Sequence, residues 1–91
     1  MSQTAIRLRV EGKVQGVFYR QSTREKAREL KLHGWVKNCS DGSVEIHVEG
    51  EQNTITELVS WCHQGPKNAM VTKLTESQTE WVGYSDFRII R

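Results

Sequence analysis

The 91-residue chain has 13 lysine and arginine residues against 11 aspartate and glutamate residues, a formal net charge of +2. This length suits one domain with a core only just large enough to fold alone, so we expect residues 1–91 to form a single domain. Hydrophobic residues make up 36% and charged residues 26% of the chain, as is ordinary for a globular protein. No apolar run approaches the roughly 18 residues that a membrane-spanning helix needs, and the N-terminus lacks the apolar stretch of a signal peptide. We therefore expect a cytoplasmic protein with no membrane partner.

The weak positive charge fits a small anionic ligand as well as nucleic acid, so it decides between neither. The two cysteines, Cys39 and Cys62, lack the close spacing of a zinc-binding or redox-active pair. The three histidines fall in no zinc-binding pattern; they are His33, His47 and His63. We therefore expect two reduced thiols, no metal ion and no cofactor.

The first third of the chain predicts a strand, a loop and a helix. Residues 5–11 alternate between apolar and charged side chains, which is the period of a strand with one solvated face. Residues 13–20 then form a loop or bend. Ser22 and Glu25 have the spacing of a capping box, which predicts that a helix begins at Ser22. Gly34 is placed to end that helix as a C-cap.

The middle of the chain predicts a hairpin. Residues 34–38 indicate a short strand, and Asp-Gly at 41–42 is typical of a hairpin turn. Residues 43–49 alternate again, so they predict a second strand of the hairpin. In that pattern the side chains of His47 and Glu49 point outward to solvent.

The rest of the chain predicts a second helix and two strands. Another capping box, at residues 54–57, predicts the start of the helix, and Gly-Pro at 65–66 ends it. Residues 68–76 indicate a strand with imperfect alternation, and residues 77–85 an irregular link. Residues 87–91 close the chain with a short strand.

This order of elements is that of an α+β fold, a ferredoxin-like split βαβ sandwich. Two helices would cover one face of an antiparallel sheet, and the other face would be solvated, as the alternating strands require.

The loop before the first helix could bind an anion. Backbone N–H groups near a helix start lack partners within the helix and carry partial positive charge. Gly16 would let the loop curl around an anion, and the guanidinium of Arg20 matches two oxygens of a phosphate or carboxylate. Simpler interpretations stay open at this point: the glycine marks a turn, Phe18 and Tyr19 pack in the core, and the arginine is solvated.

Three stretches carry a resemblance to a known family. GKVQGVFYR at 12–20 and GWVKNCSDGSVE at 34–45 together closely resemble the acylphosphatase family, and YSDFRII at 84–90 is similar to its C-terminal strand. The resemblance covers nearly the whole chain, and the family's ferredoxin-like fold agrees with the predicted order of elements.

The resemblance implies an enzyme that hydrolyses acyl phosphates to a carboxylate and inorganic phosphate, without a metal and without a phosphoenzyme. Arg20 would bind the phosphate and Asn38 would orient the attacking water, whereas the ordinary interpretation of Asn38 is a turn residue. Ser22 and Thr23 would support the cradle. Its backbone N–H groups would come from Val14, Gln15, Gly16, Val17, Phe18 and Tyr19. We expect an acyl phosphate as substrate, inorganic phosphate as product and inhibitor, and a monomer.

Two other classes of function remain open. Ferredoxin-like folds also serve as non-catalytic modules that bind anions or metabolites, and turnover of an acyl phosphate separates these from an enzyme. A protein that binds single-stranded RNA would place aromatic side chains on the open face of the sheet. The outward positions of the first strand are Arg7, Arg9 and Glu11. None of these is aromatic, so we expect no nucleic acid partner.

Overall fold

The computed structural model of the protein describes residues 2–91. It contains five strands and two helices in the chain order that the sequence predicts. In that order they are β1 (Gln3–Lys13), α1 (Tyr19–Glu29), β2 (His33–Asn38), β3 (Val44–Glu51), α2 (Gln52–Cys62), β4 (Met70–Gln78) and β5 (Phe87–Ile90). Within residues 2–91, neither helix has the length and apolar character that crossing a membrane requires.

The five strands form one sheet in the order β4-β1-β3-β2-β5. Three of the four strand pairs are antiparallel. In their register Leu8 is opposite Ile46, and Asn38 is opposite Val44. The two helices pack on one face, so the predicted ferredoxin-like α+β fold is confirmed. The expectation of a fully antiparallel sheet is wrong, because β5 runs parallel to β2.

The parallel pair follows from where the chain crosses the sheet. β4 ends beside the beginning of β1, with Gln78 opposite Ile6. The connection to β5 crosses to the other edge at this same end, so β5 begins beside the first residues of β2, with Phe87 opposite Gly34. Both strands then run towards the other end of the sheet. We call the connection, residues 79–86, the strap.

The apolar side chains of the alternating strands form the core beneath the helices. Leu8 and Val10 of β1 and Ile46 and Val48 of β3 are fully buried, as period-two alternation predicts. The helices contribute further buried side chains; these include Tyr19, Ala27, Ile55, Leu58 and Cys62. Each helix therefore lies on the sheet by a narrow apolar face.

The predicted start of the first helix is wrong by one turn. α1 begins at Tyr19, and its N-cap is Phe18, which has a left-handed backbone (φ 63°) and makes no side-chain cap. The N–H of Ser22 donates to the carbonyl oxygen of Phe18 at 3.0 Å, so Ser22 already lies inside the helix. Tyr19 is anchored in the core and its hydroxyl donates to the carbonyl oxygen of Cys62, which explains why the helix starts before its capping box.

The second capping box also fails to mark a helix start. α2 begins at Gln52, directly after β3, and the side chain of Glu51 accepts from the N–H of Asn53 at 2.9 Å. A carboxylate at this position satisfies one of the unpaired N–H groups of the first turn. The predicted C-cap of the first helix is wrong too: α1 ends at Glu29, and Gly34 lies within β2.

The face of the sheet opposite the helices is not solvated as predicted, because the strap covers part of it. His47 and Glu49, expected to point into solvent, are each only 1% exposed. The Glu49 carboxylate accepts from the N–H groups of Val82, Gly83 and Tyr84 at 2.6–3.0 Å. The predicted irregular link is thus present as an irregular segment, but it is bonded to the sheet.

Candidate active site

A cleft of about 310 Å³ lies at the end of the sheet away from the strap. It opens where β2 and β5 end and where the loop after β1 leads into α1. The residues that line it are Val14, Gly16, Phe18, Tyr19, Arg20, Gln21, Asn38, Ile89 and Arg91. The structure thus brings together two side chains that the sequence keeps far apart, Arg20 and Asn38.

The end of β1 directs the loop towards this cleft. The pairing of β1 with β4 shifts register between Glu11 and Gly12. A Cβ on Gly12 would overlap the carbonyl oxygen of Met70, so only glycine lets the strands approach this closely. β1 stays paired with β4 as far as Lys13, and the loop leaves the sheet directly after that residue.

The loop itself, residues 14–18, alternates in backbone handedness. Gly16 (φ 76°) and Phe18 (φ 63°) have positive φ, whereas Val17 between them does not. Alternation of this kind turns successive N–H groups towards one side and makes a concave anion-binding nest. No atom lies within 4 Å of a Cβ built on Gly16, so the backbone angle and not lack of space favours glycine there. Val14 and Val17 are buried and anchor the loop to the core.

Arg20 lies in the first turn of α1, whereas the sequence predicted it at the end of the loop before the helix. Its side chain is half-buried, and none of the salt bridges among residues 2–91 includes it. The first turn contains no acidic residue either. A cation at a helix N-terminus costs about 0.3–1 kcal/mol, since the helix dipole is positive there. Helix and side chain therefore both favour a negative ligand in the cleft.

Asn38 is the last residue of β2, and its side chain is exposed at the cleft. Its backbone is fixed by pairing with Val44 across the hairpin. The turn that follows is closed by a hydrogen bond from the N–H of Cys39 to the carbonyl oxygen of Ser43 at 2.8 Å. The Asp41 carboxylate accepts from the hydroxyl and the N–H of Ser43 and pairs with Arg9. The hairpin thus presents an amide at the cleft from a well-bonded turn.

Not every predicted cradle residue offers its side chain to the cleft. The side chain of Tyr19 is in the core, and burial raises the pKa of its hydroxyl well above the usual range. Gln15 and Val17 do not line the cleft. The side chain of Thr23 is buried and its hydroxyl donates to the carbonyl oxygen of Tyr19 at 2.8 Å, so it supports the helix from within.

Three lining residues were missed by the sequence analysis: Gln21, Ile89 and Arg91. The last two come from β5 and the residue after it. They reach the cleft because β5 runs parallel to β2, which brings Ile90 opposite Lys37 and next to the end of the hairpin strand. A short apolar stretch at the end of a sequence gives no signal for strand direction, so nothing in the pattern could have found them.

The remaining reactive groups lie apart from the cleft lining. Cys39 and Cys62 are free thiols. Burial raises the pKa of the Cys62 thiol to about 12, although the hydrogen bond from Tyr19 opposes that rise. Across residues 2–91, no three His, Cys, Asp or Glu side chains are grouped so that they could hold a metal ion.

Fold and cleft together define a ferredoxin-like α+β protein with a cationic cleft at the end of its sheet. The family model described as Acylphosphatase matches residues 6–89. The chain belongs to the acylphosphatase family and is a hydrolase.

Individual relatives are similar over almost their whole length. An acylphosphatase of Coxiella burnetii is 47% identical, covering 97% of this chain and 93% of the relative. One of Haloquadratum walsbyi is 46% identical with both chains fully covered. The crystal structure of acylphosphatase from Bacillus subtilis superposes with a TM-score of 0.93 at 34% identity, covering 99% of this chain and 100% of the other.

Proposed function

We propose that the protein hydrolyses the carboxyl–phosphate bond of acyl phosphates to a carboxylate and inorganic phosphate. One observation carries this proposal: Arg20, Asn38 and the nest of residues 14–18 share a single cleft. The Arg20 cation and the N–H groups of the nest suit a phosphoryl group, whereas the Asn38 amide suits a neutral second reactant, water. A non-catalytic anion-binding module would need only Arg20 and the nest, and not the amide of Asn38.

Arg20 and the loop N–H groups would hold the phosphoryl oxygens. The guanidinium fork matches two of these oxygens, and the nest surrounds the third with N–H donors. Phosphoryl transfer passes through a loose transition state whose charge is spread over these oxygens. Donors that are already oriented stabilise that charge without reorganisation, so positioning and electrostatics carry the catalysis.

Asn38 would orient the attacking water. A neutral amide cannot remove a proton, but its oxygen and N–H₂ group can hold a water molecule in line with the bond that breaks. No Asp, Glu or His is among the residues that line the cleft. We infer that a phosphate oxygen of the substrate accepts the proton of the water. The water oxygen bonds to phosphorus while the acyl oxygen leaves with the bonding electron pair as a carboxylate, which needs no proton.

The groups that line the cleft also bear on metal requirement, on inhibition by phosphate and on oligomeric state. We propose that the reaction needs no metal ion or cofactor, because Arg20 and the backbone N–H groups supply the charge that a metal would otherwise neutralise. Inorganic phosphate, the product, has the shape of the transferred group and should compete for the cleft. We also propose that the protein is a monomer, since a small-molecule cleft bounded by one chain requires no second copy. We propose further that it is a single domain and cytoplasmic.

Steady-state hydrolysis of a small acyl phosphate, with and without EDTA, tests the proposal. We expect turnover by the wild-type protein that EDTA does not change and that inorganic phosphate inhibits competitively. Arg20→Gln should lower kcat/KM by at least about 100-fold, because an oriented charged donor is lost. Phosphate inhibition should weaken in parallel.

Arg88→Gln is the matched control, since Arg88 is exposed on β5 but does not line the cleft. It should keep wild-type kinetics. Phosphate binding without any turnover would identify a non-catalytic anion-binding module instead, and loss of turnover with EDTA would reveal a required metal.

A further inference from the structure

Gln15 connects the two halves of the cleft. Its side-chain amide nitrogen donates to the carbonyl oxygen of Cys39 at 2.8 Å and to that of Ser43 at 2.9 Å. These two carbonyls are at opposite ends of the hairpin turn between β2 and β3. One side chain of the loop therefore uses both of its amide hydrogens to bind the turn that begins directly after Asn38.

These bonds link the loop directly to the turn that follows Asn38. The loop follows β1, whereas Asn38 ends β2, and β3 lies between those strands in the sheet. Val14 and Val17 anchor the loop to the core, but the exposed residues Gly16 and Phe18 do not pack there. The closed turn holds both acceptor carbonyls, because the N–H of Cys39 donates to the carbonyl oxygen of Ser43 at 2.8 Å.

We propose that Gln15 is a positioning residue, which sets Asn38 at the correct distance from the phosphate held by the loop. The inference rests on the proposed function, since it concerns the water that Asn38 orients. The side-chain amide donors of Gln15 are engaged with the turn and not with the substrate, and only its backbone N–H belongs to the nest. Its contribution belongs to kcat, where the line of attack matters, and not to phosphate binding.

Replacing Gln15 should separate these two quantities. Gln15→Met keeps the length of the side chain and removes both donors. We expect kcat to fall about 10- to 100-fold, because a displacement of about 1 Å in an attacking group costs this much. The inhibition constant of inorganic phosphate should stay unchanged, since Arg20 and the nest remain. Gln64→Met, the same substitution at an exposed glutamine after α2, is the matched control and should keep the wild-type kcat.

A double-mutant cycle with Asn38→Ala identifies the route by which Gln15 acts. If Gln15 acts through Asn38, Gln15→Met should change kcat by no more than about twofold once Asn38 is absent. Gln15→Glu adds a second readout: an ionised carboxylate cannot donate to the two carbonyls, whereas the protonated acid can donate to one. Its kcat relative to wild type should rise as the pH is lowered from about 8 to about 5, while Gln15→Met shows no such rise.

The possible outcomes distinguish this inference from the proposed function. Fully additive losses in the cycle, a wild-type kcat for Gln15→Met, or equal losses in kcat and phosphate binding would each overturn the role of Gln15 alone. Wild-type turnover by Asn38→Ala would overturn the water-orienting role and the positioning role together. Absence of turnover in the wild-type protein would overturn the proposed function itself.

Discussion

Phe18 shows how one residue can bear a cost that the cleft requires. It is 72% exposed and has a left-handed backbone, a conformation that costs an L-residue roughly 1–2 kcal/mol. The positive φ does, however, belong to the alternation of backbone handedness in the loop, which is the basis of the nest in the proposed function.

The strain can be measured with two substitutions at this position. Phe18→Ala removes the side chain and keeps the strained backbone of an L-residue, whereas Phe18→Gly removes both. We expect the glycine variant to be more stable than the alanine variant by about 1 kcal/mol in urea unfolding, the reverse of the usual order in helices. Equal stabilities would show that the backbone at Phe18 is unstrained.

At the scale of single residues, the sequence could predict which side chains form the cleft only where a motif marked them. Arg20 and Asn38 belong to such motifs and do line it. Ile89 and Arg91 could not be found, because their position depends on β5 running parallel to β2. The burial of His47 and Glu49 was equally hidden, since alternation predicts which face a side chain is on but not what covers that face.

At the scale of elements, the order and type of all seven were predictable, and the helix starts were not. Strands show alternating apolar side chains, and helices show an apolar stripe. Both patterns reflect burial, which stabilises the elements, so they predict whether a segment is a strand or a helix. The two capping boxes predicted starts at positions 22 and 54, but α1 and α2 begin at Tyr19 and Gln52. A cap contributes about 1 kcal/mol, less than the burial of Tyr19 in the core, so tertiary packing decided where α1 starts.

The strap is the element whose attachment is most readily tested. Burial disfavours the charge of Glu49, but hydrogen bonds from His47 and the N–H groups of Val82, Tyr84 and Gly83 outweigh it and lower the pKa of its carboxyl. Glu49→Gln replaces one of the two carboxylate oxygens that accept these hydrogen bonds by an N–H₂ group, which cannot accept them. We expect a loss of about 3 kcal/mol in the free energy of unfolding, with Tm falling by more than about 10 °C.

The control for this prediction uses the same segment. Glu80→Gln changes an exposed carboxylate of the strap and should leave Tm unchanged. Because the strap lies at the end of the sheet away from the cleft, kcat of folded Glu49→Gln should equal that of the wild type. A normal Tm for Glu49→Gln would mean that the strap is held by its aromatic contacts instead, in which Tyr84 meets His47 edge-on at 5.3 Å between ring centroids.

At the scale of the whole molecule, three carboxylates tie together segments that are distant in sequence. Asp41 closes the hairpin turn, Glu49 holds the strap, and Asp86 pairs with Arg28 of α1 at 3.2 Å. The pKa of each is lowered in the folded protein. The hydroxyl and N–H of Ser43, with Arg9, lower the pKa of Asp41 to about 2; the N–H of Phe87 is the main cause for Asp86.

Lowered carboxylate pKa values fix how stability depends on pH. Above the unfolded-state pKa, near 4, both states are ionised and the full stabilisation is present. As the pH falls below about 4, the unfolded chain takes up protons first, and the stabilisation is lost progressively as each folded-state pKa is passed. We therefore expect these three carboxylates to lower the free energy of unfolding as the pH falls from about 4 to about 2.

Urea unfolding across this range checks the prediction, and Asp41→Asn separates one contribution from the rest. The variant cannot take up a proton at position 41, so its stability should fall less steeply between about pH 4 and pH 2 than that of the wild type. Its kcat at neutral pH reports the geometry of the turn after Asn38, because the Asp41 carboxylate accepts hydrogen bonds from Ser43 in that turn. A wild-type slope in Asp41→Asn would show that this carboxylate makes no contribution to acid unfolding, and would leave Glu49 and Asp86 as the groups whose protonation releases the fold.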